Sequence, residues 1–150
     1  MNRELTANTP AGMFSIGEDI ARSLSGGEVI LLFGGLGAGT TLLTKGILNG
    51  LDFDVDEVTS PSFTLVNLYE TDRFDVYHID LWRLDSAPDP AEAVGLSEIL
   101  ENERAVTIIE WADRLGDKIF PNSLIITIDG DGDDPRRVSI TTDVTSDIKI

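Results

Sequence analysis

The sequence of 150 residues has no cysteine, three lysines and one histidine. Without cysteine the chain can form no disulfide, thiolate metal site or cysteine nucleophile. No apolar run approaches the ~20 residues of a membrane-spanning helix, and the first ten residues lack the apolar stretch of a signal peptide. We therefore expect a soluble cytoplasmic protein that does not engage a membrane.

Basic residues are scarce as a class. Lysine and arginine total 11 against 27 aspartates and glutamates, which gives a net charge of −16. Tight binding of nucleic acid needs basic groups that displace counterions from phosphates, so this chain is not expected to hold nucleic acid alone. A surface with 17 aspartates and three lysines suits a high-salt cytoplasm, and an ordinary solubilising surface explains it equally well.

The length and the periodic pattern predict one α/β domain over residues 1–150, with residues 1–12 as a loose N-terminus. Ser15 is a candidate N-cap for the first helix. A parallel core with some antiparallel strands is expected, including a hairpin around residues 71–73 and a closing antiparallel pair. The predicted helices are 15–25, 40–50, 90–101 and 111–118, and the predicted strands are 28–33, 63–70, 74–80, 104–110, 123–129 and 136–141.

A glycine-rich segment joins the first apolar strand to the second helix. Gly34-Gly35-Leu36-Gly37-Ala38-Gly39-Thr40-Thr41 fits the pattern G-x-x-x-x-G-K-[ST] except that Thr40 occupies the lysine position. Such a loop aims backbone N–H groups and a helix N-terminus at a phosphate, and Thr41 falls where a hydroxyl reaches Mg²⁺. The alternative is a plain glycine-rich turn. Losing the lysine is expected to cost roughly 3–4 kcal/mol of barrier, or ~10²–10³ in rate.

Two predicted strands end at an acidic residue, Asp80 and Glu110. Ligands of α/β sheets bind beyond the carboxyl ends of strands, where Asp80 could hold Mg²⁺ and Glu110 could orient or deprotonate water. Taken singly, each is equally well explained as a turn residue or solvated strand end. His78 alternates with Asp80 and is more often structural than catalytic in such a place, and Arg83 could pair with a phosphate or with Asp85.

Four motifs follow one another between about Ser15 and Arg137, nearly the whole chain. Together they resemble the bacterial TsaE (YjeE) family, the ATPase component of tRNA threonylcarbamoyladenosine biosynthesis. The motifs are Gly34 to Thr41, Ser60-Pro61-Ser62-Phe63-Thr64-Leu65, His78-Ile79-Asp80-Leu81-Trp82-Arg83 and Glu110-Trp111.

The resemblance implies a modified P-loop NTPase fold that uses ATP and Mg²⁺. It implies catalytic roles for Glu110 and Asp80, with Thr41, Asp80 and Glu110 near the metal. His78 and Arg83 become candidate contacts for a phosphate or a partner. The implied ATP-binding residues are Gly35, Leu36, Gly37, Ala38, Gly39, Thr40, Thr41, Leu42 and Trp111, and the implied switch-like loop contains Ser60, Pro61, Ser62 and Thr64.

The resemblance also implies partners. The family works with TsaB and TsaD, TsaD transfers the threonylcarbamoyl group to adenosine 37, and the partners would grip most of the tRNA. This chain departs from the family pattern at Thr40, at Leu42, where a second small hydroxyl residue is usual, and at Gly35, which replaces a common aspartate.

Three hypotheses follow from these residues. The chain is an Mg-ATP-binding ATPase subunit, or a hydrolysis-deficient nucleotide-binding scaffold of the same complex, or a small P-loop kinase or GTPase. The third ranks far lower, because the nearest candidate for a base-reading N/T-K-x-D motif, Thr44-Lys45-Gly46-Ile47, lacks the aspartate.

Overall fold

A computed structural model describes residues 2–34, 39–58, 65–84, 88–116, 120, 122–130 and 134–142. The strands are β1 (Asn2–Ala7), β2 (Val29–Phe33), β3 (Val66–Glu70), β4 (Asp75–Asp80), β5 (Val106–Glu110), β6 (Ser123–Asp129) and β7 (Arg136–Thr142). The helices are α1 (Pro10–Ser23), α2 (Thr40–Gly50), α3 (Pro90–Ala93) and α4 (Leu96–Leu100), with short 3₁₀ turns at Val55–Glu57, Trp82–Leu84 and Ala112–Leu115. No helix in these ranges is long and apolar enough to cross a membrane.

These strands form one mixed sheet in the order β1-β7-β6-β2-β5-β4-β3. The central strands β6, β2, β5 and β4 run parallel, whereas β1, β7 and β3 pair antiparallel with their neighbours. This confirms the predicted α/β class with a parallel core, and it confirms the β3–β4 hairpin and the antiparallel β6–β7 pair.

Helices cover the two faces of the sheet unequally. Strand β2 is buried on both sides, as its continuous apolar run predicts. Ile30 and Leu32 join one core cluster with α1 and α2, and Val29 and Leu31 join another with α3 and α4. α1 and α2 lie in very close contact, since a Cβ built on Gly46 would come 2.2 Å from the carbonyl oxygen of Phe14.

The N-terminus differs from the expectation of a loose segment over residues 1–12. Asn2–Ala7 form β1, paired along its length with Arg136–Thr141 of β7. α1 begins at Pro10 rather than near Ser15, and the hydroxyl of Thr9 caps it by accepting a hydrogen bond from the Gly12 N–H at 3.0 Å. Proline suits the first helical position because its φ is already helical. Ser15 therefore lies inside the helix and is not its N-cap.

Two predicted helices are shorter than expected. The helix predicted over 90–101 is interrupted at Gly95, whose φ of +70° is left-handed, so that α3 and α4 are separate. The helix predicted over 111–118 is a 3₁₀ turn, Ala112–Leu115, and residues 117–119 lie outside the described part of the chain. The helix predicted over 40–50 is confirmed as α2.

Candidate nucleotide site at the carboxyl ends of the parallel strands

The parallel register brings three strand ends to one edge of the sheet. Asp80, the last residue of β4, is the direct partner of Glu110, the last residue of β5. Glu110 is also in register with Leu32 of β2, so the glycine-rich segment leaves the sheet beside these carboxylates. Open α/β sheets bind their ligands at this kind of edge.

The glycine-rich segment is described only at its two ends. Gly34 follows β2, and Gly39 precedes α2 with a φ of +110°, a conformation that L side chains rarely adopt. Among the described residues no side-chain hydrogen bond caps α2. Because α2 follows the carboxyl end of β2, its first-turn N–H groups lie at the same edge as the carboxylates. Thr40, Thr41 and Leu42 form that first turn, with Thr41 exposed and the other two half-buried.

Several of the candidate residues lie outside the described ranges. Those from the glycine-rich segment are Gly35, Leu36, Gly37 and Ala38, and those from the switch-like loop are Ser60, Pro61, Ser62 and Thr64. Their assignment to ATP and to a switch-like role stays a prediction.

Asp80 is buried, with 5% of its surface exposed. Its Oδ1 accepts a hydrogen bond from the backbone N–H of Trp82 at 2.9 Å, and its own N–H donates to the carbonyl of Leu65 at 2.9 Å. The carboxylate is therefore held at the start of the turn that follows β4.

Glu110 is also buried and is held by His78. The Nε2 of His78 lies 2.6 Å from the Oε2 of Glu110, inside the protein. Burial raises the pKa of Glu110, but the hydrogen bond and the charge of His78, together with a hydrogen bond from Thr40, outweigh it, and the net pKa is lowered. The carboxylate is thus kept ionised at the site, and the residue at the lysine position interacts directly with it.

An aromatic pair flanks the carboxylates. The rings of Trp82 and Trp111 lie 4.6 Å apart between centroids, and the guanidinium of Arg114 lies 5.1 Å from the Trp111 ring centroid. Sequence reasoning missed Arg114, for which the only signal is its spacing of three residues from Trp111 along a turn. Arg83 is exposed on the turn after β4.

The donor set fits Mg²⁺ in the form in which nucleotide sites hold it. Among the ranges described, no group of three or more histidines, aspartates or glutamates could hold a metal alone. Mg²⁺ is usually bound through one or two carboxylates together with substrate phosphates and waters. Asp80 and Glu110 provide two carboxylates side by side, and Thr41 provides a hydroxyl at the start of α2.

Comparison with known proteins places this architecture in a family. The family model for the threonylcarbamoyl adenosine biosynthesis protein TsaE matches residues 7–138. A TsaE protein from Bacillus subtilis is 36% identical over 115 residues, covering 77% of this chain and 70% of the relative. One from Aquifex aeolicus is 35% identical over 139 residues, covering 92% and 95%.

A solved structure gives the same result at the level of the fold. The crystal structure of Bacillus subtilis YdiB superposes with a TM-score of 0.76 at 28% identity, covering 95% of this chain and 86% of that one. With a family model that spans most of the chain, the conclusion follows that this protein belongs to the TsaE family of threonylcarbamoyladenosine biosynthesis proteins.

Proposed function

We propose that the chain binds Mg-ATP at this edge of the sheet and serves as the ATPase subunit of the complex that makes N6-threonylcarbamoyladenosine at position 37 of tRNA. The observation that carries the proposal is the direct pairing of Asp80 with Glu110 beside the uncapped start of α2. That arrangement combines hydrogen-bond donors for phosphates with carboxylates for a hydrated cation.

In this proposal each half of the site has its own task. The N–H groups at the start of α2 bind phosphate oxygens, and Thr41 and Asp80 hold the cation. When bound, Mg²⁺ would supply positive charge against the phosphates. Glu110, kept ionised in the folded protein, orients the attacking water and accepts its proton. Trp111, paired with Trp82, offers an apolar surface for the nucleotide.

The proposed partners are proteins like TsaB and TsaD, of which TsaD carries out the transfer, and these partners make most of the contacts with the tRNA. The chain's net charge of −16 fits this division, because an acidic surface repels the phosphate backbone.

A second candidate function is a nucleotide-binding scaffold in the same complex that does not turn ATP over. Thr40 favours it, since this side chain has no charge and interacts with Glu110. Charge that develops on the phosphates during the reaction would then lack the stabilisation that a lysine provides.

Calorimetry with ATP, in the presence and absence of Mg²⁺, tests the proposal on this chain and on Thr40→Lys. We expect both proteins to bind Mg-ATP, and the lysine form to bind it more tightly. If only the lysine form binds, the nucleotide site of this chain is lost and the scaffold role must rest on its partners alone. If neither binds, the proposed site is wrong.

A further inference from the structure

His78 and Glu110 form a buried pair whose partners come from neighbouring strands. In the β4–β5 register His78 lies opposite Ile108, whereas Glu110 lies opposite Asp80. His78 therefore reaches two residues towards the carboxyl edge to place Nε2 2.6 Å from Oε2 of Glu110. Only 1% of the His78 side chain and 7% of the Glu110 side chain are exposed, so neither can depend on hydrogen bonds to bulk water.

A carboxylate at this depth needs compensation. An ionised carboxylate buried without a partner costs several kcal/mol in proteins. Of the groups that lower the pKa of Glu110, His78 is the basic one and Thr40 contributes only a hydroxyl. The closest compensation at this carboxylate is therefore the hydrogen bond that the imidazole of His78 makes with its Oε2.

Residue 40 approaches the same carboxylate from the other side. Thr40 is the first residue of α2 and occupies the lysine position of the glycine-rich pattern. Because the short Thr40 side chain already interacts with Glu110, the longer side chain of a lysine there could place its ammonium beside Glu110. The carboxylate would then have two partners, the imidazole from β4 and the ammonium from α2.

The imidazole of His78 is fixed at one end only. Its Nδ1 is buried and has no hydrogen-bond partner within the described part of the chain, and the Tyr69 ring lies 6.3 Å away between centroids. The hydrogen bond to Glu110 is thus the polar contact that orients the ring. A histidine kept only to fill space would not need this bond.

We propose that His78 is the positioning residue of Glu110 and that its hydrogen bond is the main support of this buried carboxylate in this chain, a support that a lysine at position 40 would share. The inference rests on the proposed function in one respect, the role of Glu110 at a nucleotide site. His78 itself does not touch the nucleotide in this proposal and acts through Glu110.

A double-mutant cycle on positions 78 and 40 tests this inference. The four proteins are the parent chain, His78→Leu, Thr40→Lys and the double variant. Leucine is apolar and cannot hydrogen-bond to Glu110. The melting temperature without ligand should fall by about 4 °C for His78→Leu in the parent, and by less than half of that in the lysine background. The affinity for Mg-ATP should fall about tenfold for His78→Leu in the parent and less than about threefold in the lysine background.

Thr107→Val is the matched control. Thr107 is a buried residue of β5 with 2% of its surface exposed. It lies three positions before Glu110, so its side chain is on the opposite face of the sheet. Thr107→Val should therefore change the melting temperature by the same amount in both backgrounds.

The outcomes separate the inference from the proposed function. Coupling in melting temperature and in affinity supports both. Coupling in melting temperature without Mg-ATP binding by any of the four proteins would overturn the nucleotide site while supporting His78 as the partner that holds Glu110. Equal effects of His78→Leu in the two backgrounds would overturn the inference, whatever the nucleotide data show.

Discussion

The two halves of the candidate site are built differently. One half consists of side chains on β4 and β5, where Asp80, His78 and Glu110 are all buried and are placed by strand register. The other half is the start of α2, where Thr40 is half-buried, Thr41 is exposed and, among the described residues, no side chain caps the helix. The sheet therefore sets the positions of the carboxylates, and residue 40 adds a contact to Glu110 from the helix half. The loss of a lysine can change the chemistry while leaving the strand half in place.

The largest expected effect comes from adding charge to the helix half. We expect Thr40→Lys to raise ATP turnover more than tenfold, since a single electrostatic contact to the transition state contributes roughly 3–4 kcal/mol, or ~10²–10³ in rate. Release of phosphate from ATP measures it. Thr40→Met is the control, because it adds length without charge. Equal rates for the threonine and lysine forms would mean that another cation already fills the role.

The next prediction concerns the close packing of α2 on α1, which supports the helix half of the site. A Cβ on Gly46 would lie 2.2 Å from the Phe14 carbonyl oxygen. Relieving this overlap would require α2 to move away from α1. We expect Gly46→Ala to lower the free energy of unfolding by about 1–3 kcal/mol, measured by urea denaturation. This range is the net change, because the overlap with the Phe14 backbone outweighs the gain of roughly 1 kcal/mol that alanine brings to a helix.

Gly12→Ala provides the matched control for that substitution. Gly12 is also helical, but the nearest atom to its added Cβ is the Thr9 hydroxyl oxygen at 3.4 Å, an ordinary contact. The variant should be neutral, or more stable by about 0.4–1 kcal/mol. Equal free energies of unfolding for the two alanine variants would contradict the close contact between α1 and α2.

A smaller effect is expected when the strand half loses one carboxylate. Asp80→Ala should weaken binding of Mg-ATP about tenfold and leave binding of metal-free ATP unchanged, because Asp80 is assigned to the cation. Calorimetry with Mg²⁺ and with EDTA separates the two. Asp80→Asn retains an oxygen that can accept the Trp82 N–H, and it should show the same selective loss with a smaller change in melting temperature. An equal loss in EDTA would remove Asp80 from the metal site.

Local patterns predicted the parts of this architecture that depend on nearby residues. β2 and the helix over 40–50 were predicted correctly, because burial on both faces and helical periodicity are visible within a few residues. β1 was missed because the strand exists through its pairing with β7, whose residues lie more than a hundred positions away. A polar segment such as Asn2–Ala7 carries no comparable local signal.

The candidate site divides in the same way. Asp80 and Glu110 could be proposed from sequence because each ends an apolar run. That they are direct partners follows only from the sheet order, which places β4 beside β5. The contact of His78 with Glu110 depends in addition on the His78 side chain reaching diagonally past its direct partner Ile108, and nothing in the sequence predicts it. Arg114 was missed because only the turn after β5 brings its guanidinium to the Trp111 ring.

The smallest expected effect is a pH dependence of the strand half. The pKa of Glu110 is lowered from 4.5 in the folded protein, so the unfolded chain binds the proton at higher pH than the folded one. The stabilisation is therefore complete above the unfolded value and is lost as the pH falls through the lower, folded value. We expect the difference in unfolding free energy between the parent and Glu110→Gln to shrink steadily below about pH 4.5. Urea denaturation of both proteins over an acid series measures it, and comparing them cancels the contribution of the other acidic residues. A difference that stays constant through this range would show that His78 and Thr40 do not hold Glu110 in its ionised form.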